Sequence, residues 1–199
     1  MHVSCVLIRH GKTTGNEQKR YIGNRTDESL SETGVRESET VRAQMVRLVP
    51  QDAVLFSSPM KRCMETAGIL FPDRQVLSDI AFTEIDFGDF EGKNFQELKD
   101  DPAYRAWVES GCMADIPHGE SVDAFRKRSY EGFLNLLEYP CFALVCHGGN
   151  IMSIMSELTG SEYHTFHVNN LNGYRLELEN DGKRITDLSY DCLFSRDHT

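Results

Sequence analysis

The 199-residue sequence predicts an α/β domain built on a largely parallel sheet. Three observations carry that expectation. Short apolar runs rich in strand-forming residues fall at 3–9, 53–56 and 142–146. Amphipathic patterns of helical period separate them. The length suits one well-cored domain, residues 1–199, and is short for two.

The elements follow in order. Residues 3–9 read as a buried strand that runs directly into Arg9, His10 and Gly11. Val41, Met45 and Leu48 form a helical stripe in the segment after Gly34. The run AVLF at 53–56 is a second strand. Ser58 and Pro59 have the form of an N-cap and a first helical position. Met60, Cys63, Met64, Ala67 and Leu70 then recur at helical spacing.

Residues 93–138 read as mostly helical, broken at Pro102 and again near Pro117. Val122, Phe125, Phe133 and Leu137 share one stripe there, with Ser121 as the candidate cap. The run FALVC at 142–146 is the third strand and leads into His147-Gly148-Gly149. Ile151, Ile154, Met155 and Leu158 mark a helix that stops at Gly160. The stretch YRLELENDGKRITDL alternates on both sides of Asp181-Gly182, which predicts a hairpin and an antiparallel edge to the sheet.

Composition narrows the function. An apolar fraction of 40% and a charged fraction of 26% are ordinary for a soluble globular chain. A net charge of -10 argues against nucleic acid or an anionic membrane as the main partner. An anionic ligand would need positive charge built locally. Six cysteines occur without a C-x-x-C pair, which predicts free thiols in a reducing compartment. No apolar segment approaches the ~18 residues of a membrane span, and the N-terminus lacks the shape of a signal peptide, since Arg9 and His10 interrupt the only apolar run there, so a cytoplasmic protein is expected. No repeat, low-complexity tract or linker is evident. The sequence allows a homodimer without specifying the oligomeric state.

In open α/β sheets ligands bind beyond the carboxyl ends of the strands. Three strand ends here carry notable groups: Arg9-His10-Gly11, Ser57-Ser58-Pro59 with Arg62, and His147-Gly148-Gly149. Two guanidinium groups offer forked donors matched to phosphate or carboxylate oxygens. Gly148 and Gly149 precede a helix, whose amides and dipole can add to an anion site. Asn16 and the hydroxyl of Ser57 or Ser58 could donate further. Two imidazoles beside two arginines make sense around a phosphoryl group. One could attack phosphorus and the other could hold an oxygen as charge shifts. The segment FTEIDFGDFEG offers Glu84, Asp86, Asp89 and Glu91, any one of which could protonate a leaving oxygen.

These pieces together resemble the histidine phosphatases, the superfamily that includes cofactor-dependent phosphoglycerate mutase. The matching stretches are LIRHGKTTGN, YIGNRTDESLSETG, SSPMKRCMETA, TEIDFGDFEG, PHGES and VCHGGN, in the family's order over roughly residues 5–150. The resemblance implies His10 as the phosphorylated nucleophile and Glu84 as general acid and base. It implies Arg9, Arg62 and His147 as the phosphate pocket, with Asn16 in support. It implies a three-layer sandwich with a central mixed sheet between helices, a small phosphorylated metabolite as substrate, no cofactor and no metal.

Within the family the chain is similar to the short phosphatases, including the α-ribazole phosphatase branch, through F-G-D-F-E-G, Trp107 and Gly119-Glu120-Ser121. Mutases carry a longer insertion with an arginine pair for the substrate carboxylate; only Arg105, Arg126 and Arg128 are scattered here. Departures are Lys12 where glutamate is common, Phe90 where tryptophan is frequent, His118 where glycine is usual, and Gly149 where mutases usually have asparagine. The rival expectations are a mutase and a silent module that binds a phosphorylated partner. His164 and His167 read as a loop or helix-face pair rather than a zinc site. Ser121 with Glu120 serves either as a helix cap or as part of the substrate end.

Overall fold

A computed structural model describes residues 1–181 and 184–194. Its centre is a six-stranded mixed sheet in the order β3-β2-β4-β1-β5-β6. The strands are β1 (His2–Arg9), β2 (Val54–Ser57), β3 (Val76–Ser78), β4 (Cys141–Cys146), β5 (Gly173–Asn180) and β6 (Ile185–Cys192). β3, β2, β4 and β1 run parallel. β5 lies antiparallel to β1, and β6 antiparallel to β5. The hairpin edge is therefore where the alternation placed it. Its Gly182 lies outside the described residues.

The helices are α1 (Thr14–Glu17), α2 (Glu32–Leu48), α3 (Lys61–Leu70), α4 (Phe95–Leu98), α5 (Pro102–Glu109), α6 (Val122–Leu136) and α7 (Gly148–Thr159). Strand alternation splits the core into two layers. Val3, Cys5 and Leu7 of β1, with Phe142, Leu144 and Cys146 of β4, face Phe133 of α6 and Ile151, Ile154 and Met155 of α7. Val6, Ile8, Ala143 and Val145 face the other way, against Met45 of α2 and Cys63, Ala67 and Leu70 of α3. Burial on both faces explains why β1 and β4 read as continuous apolar runs. A third cluster joins Phe90, Tyr104, Trp107, Val122 and Phe125 beneath the helical middle.

Several boundaries move. Ser58 does not cap α3: its amide bonds the Val145 carbonyl at 2.9 Å, extending the β2–β4 pairing by one residue. Met60 takes the cap position instead. Pro102 starts a helix rather than breaking one, because its missing N–H costs nothing in the first turn while Asp101 caps Ala103 and Tyr104. Ser121 does precede α6, although its hydroxyl makes no cap hydrogen bond. Residues between α5 and α6 form no helix. α7 ends where Gly160 turns left-handed at φ 68°. β3 and the 3₁₀ turns Ile80–Phe82, Gly88–Phe90 and Tyr163–Phe166 had no periodic signal in the sequence.

All six cysteines are free thiols. Among the described residues no helix is long and apolar enough to cross a membrane.

Candidate active site

The parallel strands end side by side. Arg9 pairs with Cys146, and Ser57 with Val145. The His10 amide donates to the Cys146 carbonyl at 3.0 Å, so the ladder carries on one residue beyond β1. This main-chain pairing brings His10, Ser58 and His147 together without help from their side chains.

His10 is 4% exposed. Its Nδ1 lies 2.7 Å from the Gly11 carbonyl, which can only accept, so Nδ1 carries the proton. Nε2 is then left with its lone pair. Burial, followed by the charges of Arg62 and Arg9, holds its pKa well below 6.5. The ring meets His147 edge to face, 5.1 Å between centroids.

His147 is fully buried. Arg62 Nε donates to its Nδ1 at 3.2 Å. Its Nε2 therefore bears the hydrogen and donates to the Ser58 hydroxyl at 2.9 Å. Burial and the nearby cations Arg62, Arg9 and Arg128 press its pKa well down as well. Arg62 is anchored to the Thr26 carbonyl at 3.0 Å and the Gly23 carbonyl at 3.1 Å. Arg9 donates through Nη1 to Val168 at 2.7 Å, while its buried Nε has no partner among the described residues. That guanidinium N–H is a donor left over for an anion, beside the unprotonated Nε2 of His10.

The acids of the 82–92 loop separate clearly. Glu84 is 8% exposed and burial raises its pKa above 4.5. Its Oε1 accepts from the Ile85 amide at 3.0 Å and Oε2 from the Gly149 amide at 3.3 Å. Asp86 instead pairs with Arg25 at 2.7 Å. Asp89 pairs with exposed His118 at 3.0 Å, and Glu91 accepts from the Gly23 amide at 2.9 Å. Of these four acids Glu84 alone is buried, and it lies within the field of Arg62 and Arg9. A Cβ at position 149 would come within 2.3 Å of Glu84 Oε1, so glycine there makes room for the carboxyl.

Other expected residues settle differently. Gly148 lies against Arg9, at ordinary contact distance for an added Cβ. The first amides of α7 do not all serve an anion, since that of Gly149 goes to Glu84. Ser57 donates its hydroxyl to the Ser58 carbonyl at 2.8 Å, and it is Ser58 that touches His147. One residue along a strand reverses the face, which decides between them. Asn16 Oδ1 accepts from Asn170 at 3.2 Å, and Asn170 also binds the His10 carbonyl at 2.9 Å. Lys12 turns away to Glu37 at 2.7 Å. His118 adopts φ 55°, the left-handed conformation glycine takes most easily. His164 bonds the Gly111 carbonyl at 2.9 Å, and no three His, Cys, Asp or Glu side chains gather as a metal site among the described residues.

Sequence reasoning missed Asn150 and Asn170. Asn150 holds the His147 amide through Oδ1 at 3.3 Å and the Thr83 carbonyl through Nδ2 at 3.3 Å, so it ties the strand end to the acid loop. Its place as the third residue of a helix after a strand end was the available signal.

The family model of the histidine phosphatase superfamily (branch 1) matches residues 5–191. The α-ribazole phosphatase of Shigella flexneri superposes with a TM-score of 0.74 at 25% identity, over 92% of this chain and 93% of that one. The phosphoserine phosphatase of Entamoeba histolytica, solved with 3-phosphoglyceric acid, gives 0.76 at 25% identity, over 94% and 96%. A 2,3-bisphosphoglycerate-dependent phosphoglycerate mutase of Gloeobacter violaceus is 31% identical over 166 residues, 77% of this chain and 74% of its own. Matched from its first strand into its last, the chain belongs to the histidine phosphatase superfamily, branch 1.

Proposed function

We propose that this chain hydrolyses small phosphomonoesters through a phosphohistidine on His10. The observation that carries the reading is the state of that ring: Nδ1 is tied to the Gly11 carbonyl, and a depressed pKa keeps the Nε2 lone pair available at neutral pH. Nε2 attacks phosphorus in line with the leaving oxygen. Arg9 and Arg62 take equatorial oxygens, and the Nε2–H of His147 swings from Ser58 to a third, so that the phosphoryl charge offsets the surplus positive charge of the pocket. Glu84 gives its proton to the departing alkoxide, and the P–O bond breaks as the P–N bond forms. The resulting carboxylate then takes a proton from water, which attacks phosphorus and restores neutral His10 and inorganic phosphate. The two fixed guanidinium charges do the work a metal does elsewhere, so the reaction needs none.

The substrate we favour is a small phosphorylated metabolite, with an α-ribazole phosphate-like ester among the candidates. A single catalytic domain working in the cytoplasm fits the free thiols, and the net charge of -10 disfavours nucleic acid and anionic membranes. The mutase reading has the 31% identical relative in its favour. Against it, Arg105 and Arg126 are already committed to Asp100 at 3.2 Å and Glu157 at 2.7 Å. A silent binding module has no use for a buried acid with a raised pKa.

A panel of α-ribazole phosphate, phosphoserine, sugar phosphates and phosphoglycerates tests the reading. Release of inorganic phosphate from at least one, unaffected by EDTA, is expected. Isomerisation of phosphoglycerate that depends on a bisphosphoglycerate primer, without phosphate release, would establish the mutase instead. Absence of any turnover alongside binding would favour the module.

A further inference from the structure

We propose that Arg128, paired with Glu120, is the positioning residue that holds Glu84 at the phosphate pocket. The inference rests on the reading of Glu84 as the proton donor. Glu84 sits in irregular chain between the 3₁₀ turns Ile80–Phe82 and Gly88–Phe90, so no ladder or helix sets its backbone. A general acid must nevertheless be held closely, because small displacements are expensive in rate.

Arg128 projects from α6 and supplies that hold. A guanidinium has five N–H donors, and here all five are matched. Nη1 donates to the carbonyls of Ala81 and Thr83, both at 2.8 Å. Nη2 donates to the Glu84 carbonyl at 3.2 Å and to Glu120 Oε2 at 2.9 Å. Nε donates to Glu120 Oε1 at 2.7 Å. Three carbonyls from the acid's own stretch thus converge on one planar group. Glu120 closes the other side: its carboxylate orients the fork, and its amide donates to the Asp86 carbonyl at 3.0 Å. Phe125 supports the plane from below, 4.8 Å from ring centre to guanidinium carbon.

The arrangement decides between two roles. An arginine that grips substrate keeps donors facing the substrate. Arg128 has none left, so it does not grip substrate; its charge also reaches His147, and Arg128→Lys keeps that charge while removing the fork that holds the loop. Its side chain is 25% exposed and that of Glu120 20%, which sets the pair apart from a freely screened surface ion pair. Lysine cannot replace it, with three donors on one atom and no fork.

The test compares formation of the phosphoenzyme from an alkyl phosphate and from p-nitrophenyl phosphate, by rapid quench, in Arg128→Lys, Glu120→Gln and Glu84→Gln. If Arg128 acts through Glu84, Arg128→Lys slows the alkyl reaction about 10- to 10²-fold and the nitrophenyl reaction by less than about threefold. Glu120→Gln, which keeps the size but removes one acceptor, should show the same bias at roughly severalfold. In a Glu84→Gln background neither change should add to the bias. Equal slowing of both substrates, no slowing of either, or full additivity with Glu84→Gln would overturn the positioning role. Should Arg128→Lys fail to fold, Glu120→Gln decides by the same criteria. If Glu84→Gln itself lacks the bias, the reading of Glu84 falls first, and the inference with it.

Discussion

The strand-end cluster, which we read as the phosphate pocket, and the loop that carries Glu84 are built by different means. His10, Ser58 and His147 sit at the ends of parallel strands and are aligned by main-chain bonds between neighbours. Glu84 sits in irregular chain, aligned by side chains: Asn150, and on our account Arg128 with Glu120. Two guanidinium groups and two imidazoles repel one another when charged. They stay together because a sheet buried on both faces leaves them nowhere to relax. A lone carboxyl meets no such repulsion, and a loop suffices. The comparison has a kinetic consequence. Damage to the strand ends should slow every substrate alike, whereas damage to the loop should be felt in proportion to the leaving group's need for a proton.

His10→Ala gives the largest effect. Without a nucleophile, turnover of alkyl and nitrophenyl phosphates should both fall on the order of 10⁴-fold or more. The melting temperature should change little, since the ring lies at a strand end outside the apolar clusters. Turnover within tenfold of the parent enzyme would remove His10 from its role. Glu84→Gln comes next, costing about 10²- to 10⁴-fold in phosphorylation by alkyl phosphates and far less with p-nitrophenyl phosphate. Asp86→Asn and Asp89→Asn should show no such contrast, because these carboxyls face Arg25 and His118. Either of them showing it in place of Glu84 would move the acid within the loop.

Arg62→Lys probes the strand-end side. Loss of its fork should slow both substrates equally, by about 10²- to 10³-fold. A leaving-group contrast there would erase the division between the regions. Gly149→Ala crosses it from the other side, since the methyl would displace Glu84 Oε1. Alkyl phosphates should slow about 10- to 10²-fold and the nitrophenyl ester little. Equal losses would mean that the methyl disturbs the pocket instead.

The smallest effect is in pH. A His10 pKa below 6.5 means that attack persists as the pH falls through 6.5 and fails only when the ring protonates lower down. A Glu84 pKa above 4.5 means that the acid form survives above 4.5 and is lost as the pH rises through its raised value. The ratio of parent to Glu84→Gln phosphorylation rates cancels the ionisation of the substrate itself. For an alkyl phosphate that ratio should decline with rising pH, and for p-nitrophenyl phosphate it should stay nearly flat. A decline of the same size with both esters would show that the ionisation is not that of a leaving-group acid.

The same contrast governs what could be read from the sequence. A strand buried on both faces leaves an apolar run, and nitrogen-rich side chains at its end have no structural purpose, so Arg9, His10 and His147 were legible. Glu84 was not separable from Asp86, Asp89 and Glu91 by residue chemistry, and only the family resemblance singled it out. What separates them is burial and the Gly149 amide, 65 residues away in sequence. Arg128 was similarly opaque: its carbonyl partners lie 44 to 47 positions upstream, and no periodicity encodes a carbonyl. Ser57 and Ser58 show the finest limit, since identical neighbours in a strand differ only in the face each side chain takes.

The most direct test of this division mixes Glu84→Gln with p-nitrophenyl phosphate and follows the phosphorylated protein by rapid quench and mass spectrometry. Phosphorylation should proceed nearly as in the parent enzyme, because the leaving group needs no proton, while hydrolysis of the intermediate stalls without its base. An acid-labile, base-stable phosphoryl group should therefore accumulate on His10 toward one per chain. Label on any other residue, or no accumulation while nitrophenol continues to form at the parent rate, would contradict the account.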